Sequence, residues 1–161
     1  MELVLGVDPG SVNTGFGLVQ AEGGRLSHLT HGRIAAGARA PLEDRLCRIF
    51  DILSDLISRH QPQALALEEI FLAANVHSAL TLGQVRGVIL LAAARARLPI
   101  FHYPPLVVKK AVVGYGQATK HQVQLMVEHL LGLKVANQHA ADALAVGVCH
   151  LFHHRWPGPL R

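Results

Sequence analysis

Four side chains of this sequence have the chemistry of ligands for a divalent metal ion: Asp8, Glu68, His139 and Asp142. Asp8 and Glu68 each close a short apolar run, which is typical of a buried strand that stops at a carboxylate. His139 and Asp142 are three residues apart in a helical segment, so both can lie on one helix face. A carboxylate at the end of a core strand costs desolvation energy, and a metal cation is the usual compensation.

Together, these groups could perform metal-assisted phosphodiester chemistry. Carboxylates and an imidazole bind hard or borderline divalent ions, and two such ions can stabilise the attacking and leaving oxygens of a phosphodiester displacement. Without a metal the carboxylates repel one another, so we expect at least one raised pKa. Each residue alone also fits a simpler role: Asp8 as a turn cap, Asp142 as a residue favoured at a helix N-terminus, His139 as a capping or surface residue.

The chain divides into segments with strand or helix character, and these must position the four side chains. Strand character marks 2–8, 14–20, 26–34, 64–67 and 99–103. Helical periodicity and helix-start signals mark about 42–60, 75–97, 104–113, 119–131 and 138–154, with Asn75 or Ser78 as the N-cap of the second helix. No helix-length segment separates the first three strands, which predicts an antiparallel meander.

The order of these segments predicts an α/β fold with a mixed five-stranded sheet and helices on both faces. Three strands form the meander, and two parallel strands follow it. Because a helical crossover precedes the fourth strand, we expect this strand to lie beside the first and parallel to it. Glu68 would then lie next to Asp8 at the carboxyl ends of adjacent strands.

Length and composition indicate one globular domain. The chain has 161 residues, 50% of them hydrophobic, and we assign residues 1–155 to one domain and 156–161 to a loose tail. No apolar run reaches the length of a membrane span, and the N-terminus has no signal-type segment. Cys47 and Cys149 form no CxxC pair, so we interpret them as reduced core thiols in a cytoplasmic protein. The net charge of +4 permits a polyanionic partner.

Several separate motifs, in the same order along the chain, resemble RuvC-type Holliday-junction resolvases, which have a ribonuclease H-like fold. The matching segments are Gly6-Val7-Asp8-Pro9-Gly10-Ser11, Leu67-Glu68-Glu69-Ile70-Phe71, the helix that follows from Asn75, the basic segments at Val108 and Lys120, and Ala140-Ala141-Asp142-Ala143-Leu144-Ala145. The resemblance extends from Leu3 to about Phe152.

This resemblance implies a homodimeric, metal-dependent endodeoxyribonuclease of recombination and repair. Such an enzyme nicks two opposed strands of a four-way junction symmetrically and leaves ligatable 5′-phosphates. Asp8, Glu68 and Asp142 match the family's acidic residues, whereas His139 stands where many members have Asp. The implied cofactor is Mg²⁺, two ions per site, with Mn²⁺ as a substitute. The implied partners are junction DNA, a second copy of the chain and a branch-migration complex of the RuvA and RuvB type.

The resemblance also implies residues that bind DNA. Lys109 and Lys120 match the family's basic positions, and phosphate contacts from such residues make binding salt-dependent. Phe71 matches an aromatic residue that resembles a junction wedge, and stacking on an unpaired base contributes roughly 1–3 kcal/mol. The helix at 75–97 matches the dimer helix. The ordinary interpretations are solvated lysines, a core phenylalanine and a buried internal helix.

Other functions stay open from the residues alone. A non-catalytic junction-binding module could keep the fold without the chemistry, and a ribonuclease H-like nuclease could have broader specificity. Actin-like ATPases and sugar kinases also place an Asp and glycines at a first strand turn, but they need two such domains, and 161 residues hold one. The presence of all four ligand-type side chains favours an enzyme over the binding module.

Overall fold

The computed structural model of the protein describes residues 1–69 and 75–155. The strands are β1 Glu2–Asp8, β2 Asn13–Glu22, β3 Arg25–Ala35, β4 Ala64–Glu68 and β5 Ile100–Tyr103. The helices are α1 Leu42–His60, α2 Val76–Arg95, α3 Pro105–Val113, α4 Lys120–Leu131 and α5 Gln138–Arg155. Their order along the chain agrees with the order predicted from the sequence.

The sheet has the mixed topology that the segment order predicts. Its strand order is β3-β2-β1-β4-β5. The first three strands pair antiparallel, whereas β4 pairs parallel to both β1 and β5. The central strand β1 is buried along almost its whole length, as expected for a strand covered on both faces. The predicted α/β fold is confirmed.

Helices cover both faces of the sheet and enclose two apolar cores. On one face, α5 packs with α3 and α4 around side chains such as Leu144 and Val123. On the other face, α1 and α2 pack around Ile49, Leu53 and Val85. The ends of β1 and β4 that carry Asp8 and Glu68 belong to the sheet between these two layers of helices.

Two glycines allow α5 to approach the sheet closely. A Cβ at Gly6 would collide with the main-chain carbonyl of Ala143, and a Cβ at Gly15 would collide with that of His139. Any side chain at either position would push α5 away from β1 and β2. The glycines therefore hold the first turn of α5, with His139 and Asp142, against the carboxyl end of β1.

Helix α2 ends two residues before the predicted end near Arg97. Asn75 is its N-cap and accepts a hydrogen bond from the Ser78 amide at 2.9 Å. The helix ends at Arg95, because the chain turns with a positive φ of 55° at Arg97. Among the described residues, α2 is the one helix whose length and apolar composition would suffice for a membrane span. Helices of globular proteins meet the same test, and α2 packs Val85 and neighbouring side chains into the core.

Two further sequence expectations have different outcomes. Cys149 is buried, as expected, but Cys47 is exposed on α1, so its assignment as a core thiol is wrong. Cys47 follows the partly buried Leu46 by one position, which turns its side chain off the apolar face of the helix. The proposed tail at 156–161 lies outside the described residues.

Candidate active site

The carboxyl ends of β1 and β4 bring Asp8 and Glu68 together, as the topology predicts. The parallel register pairs Val7 with Leu67, and the next residue on each strand is one of the two carboxylates. Asp8 is the last residue of β1 and Glu68 the last of β4. The negative charge of Asp8 is one of the causes that raise the pKa of Glu68, so the two carboxylates belong to one acidic site.

Helix α5 adds His139 and Asp142 to this site from above the sheet. His139 Nδ1 lies 3.1 Å from Asp8 Oδ2. Asp142 is mostly buried and contributes electrostatically to both strand-end carboxylates. We call Asp8, Glu68, His139 and Asp142 the carboxylate cluster. All four predicted ligand-type side chains therefore lie in one place.

Burial and mutual repulsion raise the pKa values of the two strand-end carboxylates. The pKa of Asp8 rises to about 6, mainly through burial and then through the charge of Asp142, against lowering contributions from His139 and Lys120. The pKa of Glu68 rises to about 7, through burial and the charges of Asp8 and Asp142. The expected raised pKa is thus present at both residues. Such shifts show that burial and the neighbouring carboxylates together disfavour the charged form of each residue.

Two side chains, one on α4 and one on α5, donate hydrogen bonds to Asp142. Lys120 Nζ, at the start of α4, donates to Asp142 Oδ2 at 3.2 Å. Gln138 Nε2 donates to Asp142 Oδ1 at 2.8 Å. Sequence reasoning did not include Gln138, although its position four residues before Asp142 on a helix is the spacing that brings two side chains into contact.

Lys109 and Lys120 both reach the carboxylate cluster. They line a small pocket together with Glu68, Asp142 and apolar side chains of α3 and α4. Both lysines lower the pKa of Glu68. A larger cavity lies at the other end of the sheet, between the ends of α1 and α2, and no carboxylate lines it. Phe71 lies outside the described residues.

The donor set of the carboxylate cluster fits a divalent cation. Carboxylate oxygens and one imidazole nitrogen are suitable ligands, and a cation would offset the repulsion that raises the two pKa values. As the side chains stand, no group of three or more ligating residues within 1–69 and 75–155 converges on one ion position. Asp8 and Asp142 each have an oxygen bonded to His139 or Lys120 instead.

Comparison with known proteins identifies the family. The family model described as crossover junction endodeoxyribonuclease RuvC matches residues 4–150, a range that contains the whole carboxylate cluster. The chain belongs to the RuvC family. Its members are endodeoxyribonucleases that act on crossover junctions, and membership implies dependence on a divalent metal.

Individual relatives match this chain along nearly its full length. It is 48% identical to a crossover junction endodeoxyribonuclease RuvC of Syntrophomonas wolfei over 154 residues, covering 94% of this chain and 90% of that protein. It is 50% identical to the RuvC of Syntrophotalea carbinolica over 148 residues, covering 91% and 92%.

Solved structures agree with this assignment. T. thermophilus RuvC in complex with Holliday junction substrate matches with a TM-score of 0.91 at 35% identity, covering 96% of both chains. The yeast mitochondrial Holliday junction resolvase Ydc2 matches with a TM-score of 0.64 at 11% identity, covering 94% of this chain and 79% of that one, which shows the shared fold. The resemblance inferred from the sequence motifs is confirmed.

Proposed function

We propose that this RuvC family member resolves four-way DNA junctions by symmetrical hydrolytic nicking, and that the carboxylate cluster is its catalytic site. The observation that carries the proposal is the meeting of three carboxylates and an imidazole at the ends of two parallel strands, with two raised pKa values. The match to a RuvC bound to Holliday junction substrate supports the choice of substrate.

Asp8, Glu68, His139 and Asp142 would hold Mg²⁺, two ions per site, with Mn²⁺ as a substitute. When bound, such ions activate water and stabilise charge on the scissile phosphate. Hydrolysis adds water across the P–O3′ bond, so one product strand carries a 5′-phosphate and the other a 3′-hydroxyl. His139 can ligate a metal through a ring nitrogen, as the three carboxylates can through their oxygens.

Lys109 and Lys120 would hold DNA phosphates beside the carboxylate cluster. Their position in the pocket with Glu68 and Asp142 supports this role, because a scissile phosphate must lie within reach of the same carboxylates. The contact of Lys120 with Asp142 would then be exchanged for a phosphate contact. Phe71 stays a predicted junction wedge on the resemblance alone.

Helix α2 would form the interface of a homodimer. Val76, Leu80 and Leu91 are exposed on it, and a Cβ at Gly83 or Gly87 would meet open space. These positions recur at helical spacing and form one apolar face with room for a closely packed second helix. A two-fold dimer would present two sites to a nearly two-fold junction, which suits paired nicking. Cooperation with a branch-migration complex of the RuvA and RuvB type is a further expectation from the family, and a cytoplasmic location is the expectation drawn from the cysteines.

The experiment is cleavage of a synthetic mobile four-way junction in Mg²⁺ and in Mn²⁺, with linear duplex and an RNA–DNA hybrid as controls. We expect paired symmetrical nicks in the junction and no cleavage of the controls. Equal cleavage of all three substrates would instead indicate a nuclease of broader specificity. Junction binding without cleavage in either metal would indicate a non-catalytic module.

A further inference from the structure

Arg86 links helix α2 to the end of the strand that carries Glu68. Its Nη1 donates a hydrogen bond to the main-chain carbonyl of Glu68 at 2.7 Å. Its Nη2 lies 3.3 Å from Nδ1 of His102 in β5. Because a guanidinium can only donate, His102 Nδ1 accepts this bond. One half-buried side chain therefore joins α2, β4 and β5 beside the carboxylate cluster.

The main chain at Glu68 is paired with β5, whereas its pairing with β1 ends one residue earlier. Toward β5, Glu68 pairs with Tyr103, and the Glu69 amide donates to the Tyr103 carbonyl at 2.9 Å. Toward β1, the parallel register ends one residue earlier, at Leu67. The Arg86 contact falls where the ladder with β1 has stopped, so it fixes the peptide from which the Glu68 side chain projects.

The chemistry of Arg86 suits this contact. Burial lowers the pKa of Arg86 and the Glu69 carboxylate raises it, but an arginine keeps its charge. A charged donor makes a stronger hydrogen bond than a neutral one, and the fork of the guanidinium reaches two acceptors on different strands. A shorter or single-headed donor would satisfy only one of them.

We propose that Arg86 is a positioning residue for Glu68: by binding its carbonyl, Arg86 holds the carboxylate in the orientation that metal binding requires. This inference rests on the proposed function, in which Glu68 is a metal ligand. Residues that orient metal ligands change metal affinity or activity by about 10–100-fold when they are replaced.

The test uses the full chain with three variants: Arg86→Gln, Arg86→Lys and, as a matched control, Arg95→Gln at the exposed end of the same helix. Calorimetric titration with Mn²⁺ in the absence of DNA measures metal affinity without reference to activity. We expect Arg86→Gln to weaken Mn²⁺ binding about 10-fold or more. Arg86→Lys should recover part of the loss, and Arg95→Gln should bind Mn²⁺ as the unaltered protein does.

Junction binding in EDTA and cleavage at saturating junction complete the test. We expect Arg86→Gln to bind the junction normally and to need more Mg²⁺ for half-maximal cleavage. Unchanged Mn²⁺ affinity in Arg86→Gln would overturn the proposal. This holds even if the stability or the junction binding of the variant changes. If Arg86→Gln does not fold, the same Mn²⁺ titration is made with Arg86→Lys and with His102→Ala, which removes one partner of the guanidinium.

A Glu68→Gln variant separates this inference from the proposed function. If Glu68→Gln cuts junctions as well as the unaltered protein, the assignment of Glu68 as a ligand is wrong. If Glu68→Gln is inactive while Arg86→Gln retains normal metal affinity, only the role of Arg86 is wrong.

Discussion

Helix α5 carries two clusters of ionisable side chains that differ in how their charges are balanced. At its N-terminal end, His139 and Asp142 belong to the carboxylate cluster, where burial and repulsion raise the pKa values of Asp8 and Glu68. Lys120, which forms an ion pair with Asp142 of this cluster, is itself largely exposed. This end of the helix thus concentrates negative charge at an accessible place.

The other cluster, near the C-terminal end of α5, is centred on His150. His150 is 1% exposed, and we call it, with Tyr103 and Glu2, the histidine cluster. The Tyr103 hydroxyl lies 2.7 Å from His150 Nδ1, and His150 Nε2 lies 3.4 Å from Glu2 Oε1. The ring also stacks on His154 and contacts Phe101. Burial, more than the opposing Glu2 charge, lowers the pKa of His150 to about 4, so the ring is neutral at pH 7.

The difference shows which buried ionisable groups to associate with chemistry. In the histidine cluster both ring nitrogens have partners, and the uncharged form satisfies them, which is the signature of a structural group. In the carboxylate cluster the charged forms stay under-compensated at the ends of two strands, which leaves a driving force for a cation. We therefore expect substitutions in the histidine cluster to alter stability and substitutions in the carboxylate cluster to alter cleavage.

The largest effect should come from Glu68→Gln. Removal of a metal ligand should reduce single-turnover junction cleavage by more than about 100-fold, since replacement of residues that merely orient ligands already costs about 10–100-fold. Glu43→Gln, on the exposed first turn of α1, is the control. Cleavage by Glu68→Gln within a few-fold of the control would show that the carboxylate cluster does not depend on Glu68 for catalysis.

A smaller effect, on stability, should follow from His150→Phe. The substitution leaves the buried Tyr103 hydroxyl without its partner, which should lower the free energy of unfolding by about 1–3 kcal/mol. Urea unfolding measures this loss, with exposed His129→Ala as the control. Cleavage per folded molecule should not change. A variant of normal stability with impaired cleavage would show that the histidine cluster takes part in the reaction.

Without metal, the contributions of the two clusters to stability should change in opposite directions with pH. The folded-state pKa values of Asp8 and Glu68 are raised, so their stabilising contribution is lost as pH rises from about 4 through about 6 and 7. The pKa of His150 is lowered, so its contribution is lost as pH falls from 6.5 toward about 4.

Unfolding of two variants in EDTA across this pH range separates these contributions. Relative to the unaltered protein, Glu68→Gln should become more stable as pH rises, because it cannot acquire the buried charge. The stability lost in His150→Phe should be largest near neutral pH and should shrink in acid. Parallel pH profiles for both variants and the unaltered protein would contradict the assigned shifts.

The smallest effects should come from the lysines beside the carboxylate cluster. Lys109→Ala and Lys120→Ala should each reduce the slope of log binding constant against log salt by about one, as expected for the loss of one phosphate contact. Arg59→Ala, which removes an exposed charge at the end of α1, should leave the slope unchanged. Unaltered slopes in both lysine variants would remove them from the DNA-binding surface.

Sequence reasoning predicted the parts of this molecule that follow from segment order. The meeting of Asp8 and Glu68 required only that β4 lie beside β1 in parallel, which the helical crossover imposes. His139 and Asp142 were found because residues three positions apart on a helix share a face. Their arrival at the ends of β1 and β4 depends on the close approach allowed at Gly6 and Gly15, which the topology alone does not specify.

The residues that sequence reasoning missed act through long side chains or local turns. The sequence did not single out Arg86, because its contact with the Glu68 carbonyl depends on how α2 packs on the sheet. Gln138 lies four residues before Asp142 on the helix, but the sequence does not say which rotamer the Gln138 side chain adopts. The early end of α2 depends on the positive φ at Arg97, where no glycine marks the turn.

The most direct test of the carboxylate cluster as the catalytic site is the Asp8→Asn variant, measured for junction binding and cleavage in the same Mg²⁺ buffer. Asn keeps the size of the side chain and removes the charge at the end of β1, while Lys109 and Lys120 are unaltered. We expect junction affinity to be retained and cleavage to be abolished. Cleavage at a rate near that of the unaltered protein would show that Asp8 is not part of the catalytic site.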